Sequence, residues 1–395
     1  HETPELFEEG IPFVSAEAVS CGNGHIDFEH IRGFISQDFY DECCKKYIPE
    51  MHDIYMIKSG ATTGKVAKVE TEKLFTIWSP LAVFRTNPKK CFYEYLYYFI
   101  QSDAYQKQIE NKWTYGTQQN IGMRTLEKLM ICFPSIDQQM NIADYLDVKC
   151  SKIDEIIEKQ LSIIEKLKEY KLSIITEAVT KGINPDVELK DSTIDMCEQI
   201  PVHWGISQNR YLFSLRDEKN YKPLEEVRLL SLYTDLGVFP HGEQEERGNK
   251  VVKAEGYKVV YENDIVVNII LAWMGAIGRS AYDGVTSPAY DIYKPNENVC
   301  SRYYHYLYRT KPFSAECYKY GRGIMAMRWR TYSSEFKSIK VPVPPYIEQC
   351  QIADYLDSKC EMLDKTIADR NKAIDILQEY KKSLIYEVVT GKKEV

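Results

Sequence analysis

The chain has 395 residues, more than a single hydrophobic core usually supports, so its length predicts two domains. Apolar residues make up 44% and charged residues 27% of the sequence, values that exclude an intrinsically disordered chain. The longest apolar run, residues 266–278, is interrupted by Asn268 and too short to cross a bilayer. Because no secretory signal precedes it, we expect an unexported, soluble protein of the cytoplasm that makes no membrane contact.

The eleven cysteines match no known metal-binding or disulfide framework. No C-x-x-C pair lies near a second pair or near spaced histidines, so we predict no metal site. Reduced, mostly buried thiols are the simpler interpretation for an unexported protein.

Positive charge is concentrated in two segments of this acidic chain, whose net charge is −8. Residues 58–132 hold 11 Lys and Arg against 6 Asp and Glu, a balance of +5, and residues 301–345 hold 9 against 2, a balance of +7. Two separate basic segments favour two surfaces that contact phosphates. Ordinary solvated lysines are the alternative.

Residues 1–134 predict a mixed α+β domain. β-branched and aromatic runs at residues 54–57 and 81–84 are typical of strands, and residues 93–101 are typical of a helix. A glycine-framed segment, residues 60–65, follows the first of these strands and predicts a tight turn.

Residues 135–182 predict one long amphipathic helix. Ser135 followed by Gln138 matches a capping box, and Gly182 before Pro185 marks the end. About 45 residues at 1.5 Å each give a rod of roughly 65 Å. Apolar residues recur at the 3,4 spacing of a single helix face, and those expected to pack against a second helix or a partner are Ile153, Ile156, Ile163, Leu167 and Tyr170.

The same order of features recurs in the rest of the chain. Residues 183–344 predict a linker and a second mixed domain, with strands at 259–260 and 265–270 and a helix at 302–308. Residues 345–395 predict a second long helix. Landmarks correspond between the halves, including the glycine turns at 60–65 and 275–279, the Ser-Pro pairs at 79–80 and 287–288, and the Tyr-Gly pairs at 115–116 and 320–321.

The two long helices are copies of one sequence. Residues 142–147 recur as residues 352–357, and the offset of 210 continues to the helix ends without a gap. The matching apolar stripe consists of Leu363, Ile367, Ile374, Leu377 and Tyr380. Helices with nearly identical faces can pair in antiparallel fashion, which would place one domain at each end of the rod. Packing of each helix within its own domain is the alternative.

Gln160 and Arg370 occupy equivalent positions in these two apolar stripes. A polar group at such a position usually fixes the register of a helix pair or faces solvent. Arg370 could also contact a partner.

Taken together, these features resemble the specificity subunits of type I restriction–modification systems. The resemblance is carried by the repeated Ile-Ala-Asp-Tyr-Leu-Asp segment, the helix end at 177–182, the Ile-Pro-Val-His-Trp entry at 200–204 and the ordered landmarks, and it covers nearly the whole chain. It implies an α+β fold with two similar target-recognition domains joined by an antiparallel coiled coil, a pseudo-two-fold internal repeat. One departure is that the first domain, which starts at His1, has no Ile-Pro-x-His-Trp counterpart; a truncated N-terminal edge and a tag remnant at His1 are the alternative interpretations.

The resemblance also implies the ligand and the partners. It implies that the chain binds double-stranded DNA and reads a bipartite asymmetric site in it. It also implies that two methyltransferase subunits bind to the helices and that restriction–translocation subunits join the full prokaryotic complex. That complex would be a DNA adenine methyltransferase and restriction endonuclease. S-adenosylmethionine, ATP and Mg²⁺ are expected in the partner subunits and no cofactor in this chain.

Catalysis by this chain itself is not expected. Residues 286–290 lack the Asn or Asp of the Asn/Asp-Pro-Pro-Tyr motif of amino-methyltransferases, and no Gly-rich cofactor loop accompanies them. A coiled-coil scaffold linking two protein-binding domains is the alternative function.

The two basic segments supply the candidate DNA contacts. The turn at 60–65 is not a P-loop, because three residues instead of four separate its glycines and Val66 follows the lysine. A turn that brings amides to a phosphate is the better interpretation, and a purely structural hairpin is the alternative. Amide side chains can pair with adenine, and guanidinium groups with guanine or phosphate. The predicted contacts are Thr62, Thr63, Lys65, Gln118, Gln119, Asn120 and Arg124 in the first domain, and Arg279, Arg322, Arg328 and Arg330 in the second. For each of them, a polar loop without a ligand is the alternative.

Overall fold

A computed structural model describes residues 4–78, 80–112, 114–115, 119–234, 236–242, 253–323 and 329–395, residues 114–115 by their backbone alone. The chain divides into two units. Unit 1 comprises residues 1–162 and 370–395, and unit 2 comprises residues 163–369. Each unit therefore combines an α/β domain with one segment of each long helix.

Unit 1 begins with small sheets and short helices. Its elements in chain order are β1 (Ile11–Val14), α1 (Ala16–Cys21), β2 (Phe34–Ile35), α2 (Gln37–Cys44), β3 (Ile54–Ile57), β4 (Val66–Lys68), β5 (Thr76–Ile77), β6 (Leu81–Phe84), α3 (Tyr93–Gln101), α4 (Asp103–Glu110), β7 (Thr114–Tyr115), β8 (Gln119–Asn120), α5 (Met123–Leu126) and the first part of α6 (Ile136–Lys181). The strand orders are β2-β1-β5, β4-β3-β6 and β7-β8.

Strand β3 is the central strand of the sheet β4-β3-β6, and all four of its residues are buried. Because side chains alternate along a strand, Ile54 and Met56 join the core formed with α3, whereas Tyr55 and Ile57 join the core formed with β1 and α1. A sheet covered on both faces explains why this strand is a continuous apolar run instead of an alternating one.

Unit 2 contains the larger sheet. Its elements in chain order are β9 (Leu189–Ile194), β10 (Cys197–Pro201), β11 (Gly205–Gln208), α7 (Asn209–Leu212), β12 (Phe213–Arg216), β13 (Leu230–Tyr233), β14 (Gly237–Pro240), β15 (Lys258–Val260), β16 (Ile265–Asn268), β17 (Ile277–Arg279), β18 (Gly284–Thr286), β19 (Tyr290–Pro295), α8 (Ser301–Tyr308), α9 (Lys311–Tyr320), α10 (Ser333–Ser338), β20 (Lys340–Val343) and the first part of α11 (Tyr346–Val389). The four-stranded sheet has the order β12-β19-β16-β17 and is antiparallel throughout.

The predicted fold class, mixed α+β with two long helices, is confirmed. The strand predicted at residues 265–270 ends two residues early, at Asn268. Its side chain accepts a hydrogen bond from the Ile270 amide at 3.0 Å, and this Asx turn bends the chain out of the sheet.

The ends of α6 follow the sequence signals. The Ser135 amide donates to Oε1 of Gln138 at 3.1 Å, and the Gln138 amide donates back to Oγ of Ser135 at 3.4 Å, which confirms the capping box. Gly182 has a φ of +81° and donates its amide to the carbonyl of Ala178 at 3.1 Å, as a helix-ending glycine does.

Antiparallel pairing of the two helices is visible inside each unit. In unit 1, Lys381 donates to Asp154 at 2.7 Å and Arg370 donates to Gln160 at 2.7 Å, so residue numbers rise along one helix as they fall along the other. In unit 2, Lys171 donates to Asp364 at 2.6 Å. With the offset of 210, the two aspartate–lysine pairs are the same contact made twice. The Gln160–Arg370 contact shows that the polar positions of the two stripes meet each other.

A buried glutamine attaches each long helix to its domain. In unit 1, Oε1 of Gln139 accepts the Phe92 amide at 2.8 Å and Nε2 donates to the Pro134 carbonyl at 2.9 Å. In unit 2, Gln349 accepts the Cys300 amide at 2.9 Å and donates to the Pro344 carbonyl at 2.8 Å. Both side chains are inaccessible to solvent, so this contact fixes where each helix leaves its domain.

Candidate nucleic-acid interface

The glycine turn and strand β8 lie side by side in unit 1. The Gly60 amide donates to the Gln119 carbonyl at 3.0 Å, and the Ile121 amide donates to the Lys58 carbonyl at 2.9 Å. Residues 60–65 and 119–124 are far apart in sequence, but they form one continuous edge, which we call the unit 1 edge. The structure therefore brings together two segments that the sequence proposed separately.

The conformation of the turn requires its glycines. Gly60 and Gly64 have φ values of +102° and +92°, in the left-handed region that favours glycine. A Cβ atom on Gly64 would also clash with Oε1 of Gln106, so that side chain would have to move. The hydroxyl of Thr63 donates to the Gly60 carbonyl at 2.7 Å, which means that it stabilises the turn itself.

The remaining side chains of the unit 1 edge differ in exposure. Thr62 and Gln119 are half-buried, whereas Lys65, Asn120 and Arg124 are exposed. Arg124 lies on α5, directly after β8. Gln118 lies outside the described residues. The edge thus presents amide groups between two cations, an arrangement that suits base edges flanked by phosphates.

Unit 2 has a corresponding edge, formed by residues 269–279, 322–323 and 329–331. Arg322 and Arg330 exchange two backbone hydrogen bonds, at 2.8 and 2.9 Å. The Thr331 amide donates to the Ile269 carbonyl at 2.9 Å, which ties this bridge to the turn after β16. We call these residues the unit 2 edge; Arg328 lies outside the described residues.

The guanidinium groups of the unit 2 edge are differently engaged. The side chain of Arg322 is 74% exposed and forms an ion pair with the buried carboxylate of Glu335. Nη1 of Arg330 donates to the carbonyl of its neighbour Trp329 at 2.9 Å. Both groups keep further N–H donors, because a guanidinium has five.

Arg279 is held more firmly. Its Nε donates to Oδ1 of Asn263 at 2.8 Å, and its Nη2 lies 3.4 Å from the carboxylate of Glu262. Its backbone amide donates to Nδ1 of His305 at 3.1 Å. A DNA contact by this side chain would have to share or displace those partners, so among the predicted arginines that the structure describes it is the least available.

His305 is a positioning residue that the sequence did not single out. Burial lowers its pKa to about 3, with further lowering from Arg309 and Arg279, so the ring is neutral and its Nδ1 is an acceptor. It thereby holds the strand that ends the unit 2 turn. In the sequence, His305 stands among the tyrosines of α8, and that position gives no indication of this role.

Aromatic and apolar side chains distinguish the unit 2 edge from the unit 1 edge. Tyr318 stacks on Trp329 with ring centroids 4.8 Å apart, and Trp273 contacts Tyr318 edge-on at 5.8 Å. Met274, at the tip of the turn, is 52% exposed. Where unit 1 presents threonines in its turn, unit 2 therefore presents apolar groups.

The predicted helix-packing residues fall into three classes of burial. Ile153, Leu363 and Ile374 are buried, and they account for the central seam of the paired helices. Four residues are half-buried, namely Ile163, Leu167, Ile367 and Leu377. Ile156, Tyr170 and Tyr380 are exposed, so these three do not pack in the seam and form part of an outward apolar surface.

The described residues form neither a metal-binding cluster nor a membrane-spanning helix. They contain no group of three or more His, Cys, Asp or Glu side chains arranged to hold a metal ion. All eleven cysteines are free thiols. None of the helices in the described part of the chain combines the length and the apolar composition that crossing a membrane requires.

Sequence comparison finds a family match and related proteins. The family model for the type I restriction modification DNA specificity domain matches residues 4–166. The MjaX type I restriction enzyme specificity subunit of Methanocaldococcus jannaschii is 26% identical over 98% of this chain and 88% of its own length. The MjaVIII specificity subunit of the same organism is 21% identical over 94% of this chain and 86% of its own length.

Solved structures share the fold. A chain from a structure that concerns complex assembly and conformational transition of the type I R-M system aligns with a TM-score of 0.70 at 12% identity, covering 96% of this chain and 91% of that one. The crystal structure of the HsdS subunit from Thermoanaerobacter tengcongensis aligns with a TM-score of 0.53 at 13% identity, covering 97% and 91%. At such low identity, these two likenesses concern the fold alone.

Proposed function

We propose that this chain reads a bipartite, asymmetric site in double-stranded DNA. The proposal follows from the family to which the chain belongs, the specificity subunits of type I restriction–modification systems. The observation that carries the proposal is that one scaffold occurs twice with different side chains on the equivalent edge. The unit 1 edge and the unit 2 edge each join a turn after a central strand to a later segment of the domain. Two equivalent edges with different chemistry suit two half-sites of different sequence.

Each edge would contact its half-site with the groups that it exposes. Lys65 and Arg124 would neutralise phosphates in unit 1, while Gln119 and Asn120 would pair with base edges, for which adenine is the best match to an amide. In unit 2, Arg322 and Arg330 suit guanine or phosphate. Thr63 would act indirectly, because its hydroxyl stabilises the turn.

The charge distribution supports DNA binding by the edges in spite of the acidic total. The two segments that contain residues 119–124 and 322–330 carry local balances of +5 and +7 within a chain of net charge −8. Binding should therefore weaken with rising salt, as expected when cations displace condensed counterions. The acidic remainder would be repelled by the phosphate backbone, which confines contact to the edges.

The outward surface of the helices would bind methyltransferase subunits. Tyr170 and Tyr380 are equivalent in the repeat, and they are exposed by 57% and 53%. Exposed aromatic side chains that recur at the same position suit two copies of one partner, because tyrosine is enriched at protein interfaces. The chain itself would be non-catalytic, with S-adenosylmethionine, ATP and Mg²⁺ bound by its partners.

The experiment that tests this function is to co-express the chain with the methyltransferase subunit encoded beside it and to map methylated bases across a genome. We expect a motif of two specified parts separated by an unspecified spacer. The variant Asn120→Ala should relax one part only, and Arg322→Ala the other part only. A continuous motif, or no motif from an intact complex, would contradict the proposal.

A further inference from the structure

Unit 1 contains a cavity of about 630 Å³ to which the proposed function gives no role. We call it the Trp78 cavity. The buried side chains of Phe13, Leu81 and Ala82 line its interior, and the half-buried rings of Phe39 and Trp78 form its aromatic walls. Its other lining residues include one carboxylate, Glu42, and three lysines, Lys45, Lys46 and Lys58.

The Trp78 cavity adjoins the unit 1 edge. Lys58 lines the cavity and precedes the glycine turn, and its carbonyl accepts the amide of Ile121 at 2.9 Å. Met123 lines the cavity on α5, next to the exposed Arg124. A DNA strand lying on this edge would therefore pass beside the cavity.

The Trp78 ring already stacks with a planar cation. The guanidinium carbon of Arg32 lies 4.5 Å from the centre of the ring, and Phe13 supports the same ring edge-on at 5.3 Å. Arg32 is not among the residues that line the cavity, so its contact shows only that the indole accepts a planar group. A nucleobase is such a group, because every base has a flat π-face that stacks on aromatic side chains.

Two of the lysines, Lys58 and Lys45, supply charge without a fixed counterion among the described residues. Among the described residues, the Lys58 ammonium forms no hydrogen bond or ion pair, although the side chain is half-buried and burial lowers its pKa. Lys45 is exposed at the rim and is likewise in no ion pair within the described part of the chain. A half-buried ammonium is best satisfied by a ligand anion, and phosphate fits a site that also offers stacking.

We propose that the Trp78 cavity binds one nucleotide, with its base against Trp78 and Phe39 and its phosphate near Lys58 and Lys45. The volume lies within the range of about 300–1,000 Å³ that is usual for small-ligand sites. The walls offer stacking and few hydrogen bonds, so the site tolerates different bases. The nucleotide has two possible sources: one extruded from the duplex bound at the unit 1 edge, which rests on the proposed function, or a free nucleotide from solution.

The first arm of the test uses the complex with its methyltransferase subunit and a duplex that carries the mapped site. 2-Aminopurine, which fluoresces more strongly when unstacked, replaces bases one at a time in and beside the half-site read by unit 1, avoiding the methylated positions. We expect a severalfold rise in fluorescence at one position. The rise should disappear in Trp78→Ala and fall in Lys58→Gln, a substitution that removes the charge with little change in packing. The matched control is Tyr221→Ala, which removes an aromatic ring that is 83% exposed in unit 2.

The second arm titrates the chain with deoxyadenosine monophosphate and follows tryptophan quenching. Quenching that is lost in Trp78→Phe, with no 2-aminopurine response, would assign the cavity to a free nucleotide; a 2-aminopurine response would assign it to DNA. If neither probe responds while the wild-type complex still methylates a bipartite site, the proposal of a nucleotide site is refuted and the proposed function stands. If the wild-type complex shows no sequence-specific methylation, the proposed function fails, and the quenching arm still decides the cavity.

Discussion

Replacement of the attaching glutamines should loosen one unit at a time. Gln139→Leu and Gln349→Leu keep the volume of the side chain and remove both of its polar groups. Each substitution leaves a backbone amide, that of Phe92 or that of Cys300, without the acceptor that it has at 2.8 or 2.9 Å. Each also removes the donor to a proline carbonyl at the start of the long helix.

The magnitude follows from the groups left unpaired, two for Gln349 and three for Gln139, whose Nε2 also donates to the Lys90 carbonyl at 3.2 Å. An unsatisfied buried donor or acceptor costs about 1–3 kcal/mol, so the local free energy of opening should fall by about 2–6 kcal/mol in Gln349→Leu and by at least as much in Gln139→Leu. Because a chain of two units does not guarantee a single unfolding transition, hydrogen exchange followed by mass spectrometry is the appropriate measurement. Exchange should accelerate more than tenfold around residues 92–101 in Gln139→Leu and around residues 300–308 in Gln349→Leu.

Exposed neighbours on the same helices provide matched controls. Asn141→Ala and Gln351→Ala are equivalent positions in the repeat and are solvent-exposed, so their exchange profiles should match the wild type within about 0.5 kcal/mol. Two results would refute the reasoning. One is a loss of protection below that value in the glutamine variants; the other is an equal loss in both units from either single substitution.

Three further groups of substitutions test the unit 1 edge, the seam between the two long helices and the turn of the unit 2 edge. Lys65→Ala should reduce the slope of log affinity against log salt by about 1 without changing the methylated motif, whereas Asn120→Ala should cost about 1–3 kcal/mol at one base position; salt titrations of DNA binding and methylation mapping distinguish them. Gln160→Leu combined with Arg370→Leu should leave stability unchanged or raised, because both polar partners go together, while Arg370→Leu alone should cost about 1–3 kcal/mol; a double-mutant cycle in denaturant measures the coupling. For His305, the folded pKa of about 3 lies below the ordinary 6.5, so the unfolded chain takes up its proton first. The stabilising contribution of the neutral ring should be complete above pH 6.5 and be lost as the pH falls toward 3. Between pH 7 and pH 5, the free energy of unfolding should therefore decline less in His305→Gln than in the wild type.

The features that the sequence predicted correctly are those set by local rules. The capping box of Ser135 and Gln138, the helix-ending Gly182 and the buried strand at 54–57 each depend on residues within a few positions of one another. The antiparallel pairing was also accessible, because the repeat shows two helices with nearly the same apolar face. Strand order was not accessible, since β1 pairs with β5 in parallel across more than 60 residues and no local signal encodes that partner.

The edges show the same division between local and distant information. The turn at 60–65 and the amides at 119–120 were each recognisable, but their contact depends on the fold of the residues between them. Gln139 was overlooked beside Gln138, although its recurrence as Gln349 was a usable signal. A polar residue kept at one position of two diverged copies, next to apolar helix positions, indicates a buried hydrogen-bonding role.

The distribution of repeated contacts separates the frame of the protein from the surfaces that would carry specificity under the proposed function. Three contacts that occur in both units are the buried glutamine at the helix start, the aspartate–lysine pair between the helices, and the tyrosine–aspartate bond that ties α3 or α8 to its helix through Asp147 or Asp357. These three lie where the helices meet each other or their domains. The side chains that differ lie on the two edges. A subunit that presents two unlike surfaces on one geometry needs an invariant frame, because a change there would displace a whole edge, whereas a change on an edge alters one half-site only. Substitutions at the frame should therefore reduce methylation of the entire site, and substitutions on an edge should change the bases of one half while leaving the spacer length intact.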